Sequence, residues 1–174
     1  MRHKRAKQKN FVKFSVRALF LLFSASLLFP VPFYPAITYG SNANTAATGT
    51  ASSFAFTAST NANRVLIFSA GVFDDRPAYN ITAVSYGTQT LTLLTRTASG
   101  PGDGTGLDME IWYLINPKNG TANITVNSAL SVRNNMGVIE YRGVSGVGTT
   151  NTAKANSNAI TGTLTTSQAK SWIA

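Results

Sequence analysis

The feature that most constrains the fold is a rhythm of short strand-length bursts, with gaps too brief to hold helical crossovers. Apolar and small or polar residues alternate along the chain from Phe54 onward, and the gaps are rich in Gly, Asn, Thr and Pro. Phe54 and Phe56 alternate with small residues, and Arg64–Phe73 is apolar on both faces and therefore predicted to be central. Ile81–Tyr86 and Thr90–Thr97 flank Gly87-Thr88-Gln89, a predicted hairpin. Leu107–Ile115 is the strongest strand and is closed by Asn116-Pro117-Lys118-Asn119-Gly120. Ala122–Asn127, Met136–Tyr141 and Ala159–Leu164 complete the set. Helix formers such as Glu, Lys and Gln are sparse while Thr is abundant, which favours strands. About seven or eight strands so connected predict an all-β fold, an antiparallel β-sandwich of jelly-roll type, rather than a βαβ arrangement.

The N-terminus carries a different signal. Seven basic side chains lie within positions 1–17 (Arg2, Lys4, Arg5, Lys7, Lys9, Lys13, Arg17), followed by the apolar run Ala18–Phe29 and then Pro30, Pro32 and Pro35. A basic segment before a short apolar one and small residues is the pattern of a secretory signal peptide. At twelve residues this run falls short of the ~20 that span a bilayer. Extended through the prolines to Ile37 the run reaches that length, so an uncleaved signal anchor is the alternative to a cleaved leader. Candidate cuts follow Ala36, Gly40 or Ala43. Either way the C-terminal part is expected outside the cytoplasm, secreted or on the cell surface, with the membrane touched only by the N-terminal segment. The predicted organisation is a signal over residues 1–40, a flexible lead-in over 41–50 and the sandwich over 51–174. Ser171-Trp172-Ile173-Ala174 reads as the beginning of a strand, so the sandwich is expected to lack its last strands.

The formal net charge of +9 invites a nucleic-acid reading, but the excess sits in the leader. From Ser41 onward eight basic residues face six acidic ones, a balance of about +2 with no basic stripe to follow a phosphate backbone. Nucleic acid is not an expected partner. The chain has no cysteine, which excludes a disulfide scaffold, a thiol nucleophile and zinc–thiolate ligation. Its single histidine is His3, inside the leader, which removes a Ser-His-Asp triad and His-ligated metal from the exported part. No catalysis is expected.

The grouping that most resembles a site lies on Leu107–Ile115. Strand alternation predicts Leu107, Met109, Ile111, Tyr113 and Ile115 inside, and Asp108, Glu110, Trp112 and Leu114 outside. Two carboxylates beside an exposed indole are what a sugar site uses, and carboxylates on alternate strand positions lie roughly 5–7 Å apart, overlapping the spacing of retaining glycosidases. Laminarinase-type hydrolases on concanavalin-like sandwiches carry three acids on one strand; here Gly106 and Trp112 stand where further acids would fall. The preferred reading is that Asp108 and Glu110 solubilise an outer face and a loop covers Trp112. Sugar binding by Asp108, Glu110 and Trp112, with Tyr79 as a further platform, comes second, and hydrolysis third. The glycine-rich loop Gly100–Asp108 offers Asp103 and Asp108 as calcium ligands; a plain turn is preferred there, and no other cofactor is expected. Asp74-Asp75 lies in another loop and could join only if the fold brings it close. Glu140 shares parity with Met136 and Val138, so partial burial and pairing with an arginine are predicted in preference to catalysis.

Three segments carry a resemblance: ITAVSYGTQTLTLL (81–94), EIWYLINPKNGTANITV (110–126) and NMGVIEYRGV (135–144). Together they resemble an uncharacterised β-sandwich module of secreted prokaryotic surface proteins, jelly-roll or concanavalin-like, over roughly residues 50–174. Thr88 replaces the second glycine of that module's hairpin. The resemblance implies a β-sandwich on the cell surface, with extracellular polysaccharide or other surface-protein modules as partners, and supplies no catalytic residues.

Overall fold

The computed structural model describes residues 36–73, 81–97, 107–153 and 161–166. The chain divides into Met1–Tyr34 and Pro35–Ala174, and the strands belong to the second unit. They are β1 (Thr38–Ala58), β2 (Arg64–Phe73), β3 (Ile81–Tyr86), β4 (Gln89–Thr90), β5 (Thr92–Thr97), β6 (Leu107–Ile115) and β7 (Gly120–Arg142). The all-β antiparallel class expected from the alternation is what forms. The seven strands make one continuous sheet in the order β4-β3-β7-β2-β6-β5, with β1 along β7, bent nearly into a closed barrel-like shape.

The bend comes from β7. Its first part pairs with β3 (Val84 opposite Val126) and its second with β2 (Phe68 opposite Val138), while β1 accompanies both. The β1–β7 register jumps between Gly49/Val132 and Ala51/Asn127, an irregularity of the kind that lets paired strands turn a corner. Beyond β4, Leu91 donates its N–H to the Val84 carbonyl at 2.9 Å, so β3 and the start of β5 stay tied as β5 departs to pair with β6. Both arms face one core. Phe56, Val84, Tyr86, Ile124 and Val126 come from one arm, and Leu66, Phe68, Val72, Trp112 and Val138 from the other. Phe56 and Tyr86 meet edge to face, ring centroids 6.1 Å apart. The Tyr86 hydroxyl donates to the Gly120 carbonyl and accepts the Ala58 N–H at 3.3 Å, binding β3 to the far ends of β7 and β1.

Several sequence expectations are refined. β2 is central, between β6 and β7, and β6 has the predicted bounds. The turn at Gly87-Thr88 takes φ +56° at Gly87 only, the pattern of a hairpin that wants glycine at its first central position, so Thr88 fits. Residues 41–50 are strand and not a flexible lead-in: β7 is long enough to give the whole stretch a partner, and β1 already begins at Thr38, within the segment assigned to the signal. The expected strands Ala122–Asn127 and Met136–Tyr141 are one, because inward Val132 and Asn134 continue the alternation between them. Within Ala159–Leu164, residues 161–164 are not strand, and 159–160 lie outside the described residues, as do residues 1–35 of the leader and Trp172.

Candidate functional site

The register of β6 decides where its carboxylates go. Trp112 sits opposite Phe68 and Glu110 opposite Ala70, and both of those β2 residues face the core. The even positions of β6 therefore point inward, and the odd, more apolar set points out: Met109 is 47% and Ile115 39% exposed, whereas Glu110 is 0% and Trp112 7%. This corrects the predicted outer face of Asp108, Glu110 and Trp112. A greasier odd set did not outweigh the neighbour's register, because Glu110 finds donors inside. Its Oε1 accepts the Ile81 N–H at 3.1 Å and Arg96 Nε at 2.9 Å, and its Oε2 accepts Trp112 Nε1 at 2.8 Å. Arg96 reaches it from β5, opposite Glu110 in the register, and keeps 28% of its own side chain exposed. Such a carboxylate joins three strands. It is not presented to a substrate, and Trp112 is a core indole, not a stacking platform.

Glu140 forms a second node of the same design. It is fully buried on β7; its Oε1 accepts Arg142 Nε and its Oε2 the Ser59 N–H, each at 2.8 Å. Arg64 lies 3.9 Å from the same carboxylate. That guanidinium also donates to the Ser59 carbonyl, to the Pro117 carbonyl at 2.6 Å and to Asn119 Oδ1 at 2.7 Å, tying the loop after β6 to the start of β2. Burial pushes the Glu140 carboxyl up, but the hydrogen bonds from Ser59 and Arg142 and the charge of Arg142 outweigh it and hold the group below the usual carboxylate range. The sequence-predicted pairing of Glu140 with arginine is thus present.

Of the proposed calcium ligands, Asp103 lies outside the described residues, and Asp108 is inward-facing, 9% exposed and engaged in an interaction of its own. Asp74, Asp75 and Tyr79 also lie outside the described residues. Among the described residues no group of three or more His, Cys, Asp or Glu side chains could hold a metal ion.

The open feature of this arm is on the opposite side of the sheet. Gly71 and Gly137, inside β2 and β7, leave backbone bare around Ser69, and a shallow groove of about 550 Å3 runs there. Asn44 and Asn135 supply amides along it, and Phe73 (43% exposed) and Met109 form apolar walls. A glycine inside a strand often marks close approach of a ligand or a second backbone. Two of them on one sheet face, at Gly71 and Gly137, are the sequence signal that could have located this groove. Arg96, the charged partner of Glu110, had no comparable signature, because its role depends on the β5–β6 register.

Comparison with known proteins yields no matching family model, no matching curated protein and no matching solved structure. What fold and site define is a class: an antiparallel all-β module whose described glutamates are buried and paired with arginines.

Proposed function

We propose that the chain is a secreted or cell-surface β-module with a structural or adhesive role and no catalysis of its own. The observation that supports this reading is the commitment of Glu110 and Glu140 to interior donors, which, with Asp108 also buried, leaves the arm's outer face without a carboxylate among the described residues. General acid–base chemistry needs a carboxyl within hydrogen-bond reach of the proton it moves, and Glu110 sits on the far side of the sheet from the groove. The test is incubation of the full chain with a panel of β-glucans and other envelope polysaccharides, reading new reducing ends, together with fractionation of expressing cells. The expected result is no turnover and recovery outside the cytoplasm. Turnover abolished by Glu110→Gln, or recovery from cytosol with the leader intact, would overturn it.

A second reading, binding of extracellular polysaccharide, is favoured by one observation: the groove combines Asn44, Asn135 and Ser69 with the apolar edges of Phe73 and Met109. Hydroxyl-bonding groups beside apolar walls suit a sugar's two kinds of surface. A glycan array separates the readings. Binding lost on Phe73→Ala favours the second, and no binding to any glycan favours the first.

A further inference from the structure

Strand β1 has one long edge to spare. Among the described residues its ladder partner is β7 alone along Thr38–Ala58, with Gly40, Ser41 and Thr50 out of register; Ser41 Oγ donates to the Thr57 carbonyl at 3.2 Å, so the stretch left open lies between those two residues. Exposed edges are ordinarily guarded by charge, by proline or by shortness. This edge has no Lys, Arg, Asp, Glu or Pro in its entire length. A second observation concerns the core behind it. Ala43, Ala47 and Phe54 point inward from β1 but are only partly buried, while their neighbours on β7, Val138 opposite Ala43 and Ile124 opposite Phe54, are fully buried. The core is finished on the β7 side and unfinished at the β1 edge.

We propose that β1 is a homotypic interface, where two copies of this chain pair β1 against β1, antiparallel, about a two-fold axis. A two-fold sets each strand against its own reversed sequence, so any charge near the axis would meet its like. An uncharged edge is what such pairing requires. The outward side chains Asn42, Asn44 and Thr48 each donate and accept, and so complement their own kind. Pairing over Asn42–Gly49, the straight arm before the bulge, supplies about eight backbone hydrogen bonds at one per residue, within the range of an ordinary protein interface. Side chains on facing antiparallel strands share a face, so the axis passes through a residue and not between two. Thr45 or Ala46, near the middle of the arm, then faces itself.

The chain lacks native cysteine, which makes the test direct. Purified full chain in mild detergent, carrying Thr45→Cys, Ala46→Cys or, as control, Ser69→Cys on the outer face, is treated with a short bis-maleimide and run on a denaturing gel. Cα atoms opposite at the axis would be about 4.5–5.5 Å apart. A covalent dimer is expected at position 45 or 46 and not at 69. Yields at 45 and 46 no higher than at 69 would overturn the proposal. Adding Asn44→Lys and Thr48→Lys, both at exposed positions, is expected to cut the yield at least tenfold with the circular dichroism of the fold unchanged. An undiminished yield in that folded variant would also overturn it.

Discussion

Replacing Arg96 by methionine tests whether Glu110 is an interior tie. The carboxylate is 0% exposed and takes three donors, one of them the guanidinium at 2.9 Å. Removing one partner of a buried ion pair costs about 3–5 kcal/mol, because the other charge is left uncompensated. Here the Ile81 N–H and Trp112 Nε1 remain, and Arg96 is itself partly exposed, so the loss belongs at the lower end, about 3 kcal/mol. Against a total of about 5–15 kcal/mol for an ordinary domain, that moves a urea midpoint by roughly 1–3 M at usual slopes. Equilibrium urea unfolding followed by far-ultraviolet circular dichroism reads the shift. The same Arg96→Met change is repeated in a Glu110→Gln background. With the charge already gone it should cost about 1 kcal/mol, the worth of a neutral hydrogen bond, giving a coupling of about 2 kcal/mol. A solvent-facing Glu110 would instead make Arg96→Met neutral to within about 0.5 kcal/mol. That result, or strictly additive changes, would refute the reasoning.

The remaining predictions concern the second node and its surroundings. The folded Glu140 carboxyl titrates below its ordinary range, so its contribution is complete above the unfolded-state value and is lost as the pH falls through the folded one. Thermal melts between pH 7 and pH 2 should show that acid loss, and Glu140→Gln should reduce the slope. Gly40→Ala would bring a Cβ within 2.6 Å of Glu140 Oε1 and 3.0 Å of its Cβ; overpacking of this kind costs about 1–3 kcal/mol, read by the same urea unfolding. Tyr86→Phe removes the donor to Gly120 and the acceptor for Ala58 N–H, an expected loss of about 1–3 kcal/mol with the fold retained.

Much of the fold was legible because alternation and turn chemistry are local. The bounds of β6, the central place of β2 and the turn at Gly87 were all available from residues adjacent in sequence. The long β1 was not, since Thr, Asn, Ala and Gly at 41–50 become strand only when a partner as long as β7 offers hydrogen bonds. Which face of β6 is inside was also beyond local reading. Both faces are partly apolar, and the choice is made by Phe68 and Ala70 across the ladder and by donors from Ile81 and Arg96. Glu140 was legible for the opposite reason: its parity with Met136 and Val138 on the same strand already placed it inside.

The most direct measurement uses Trp112 as its own reporter. The chain has two tryptophans, so Trp172→Phe leaves this one alone. The expected spectrum is the emission of a buried indole, poorly quenched by acrylamide until the protein unfolds and unmoved by added polysaccharide. A water-exposed emission, quenched in the native state and shifted by a glycan, would put Asp108, Glu110 and Trp112 on an open binding face and contradict the account.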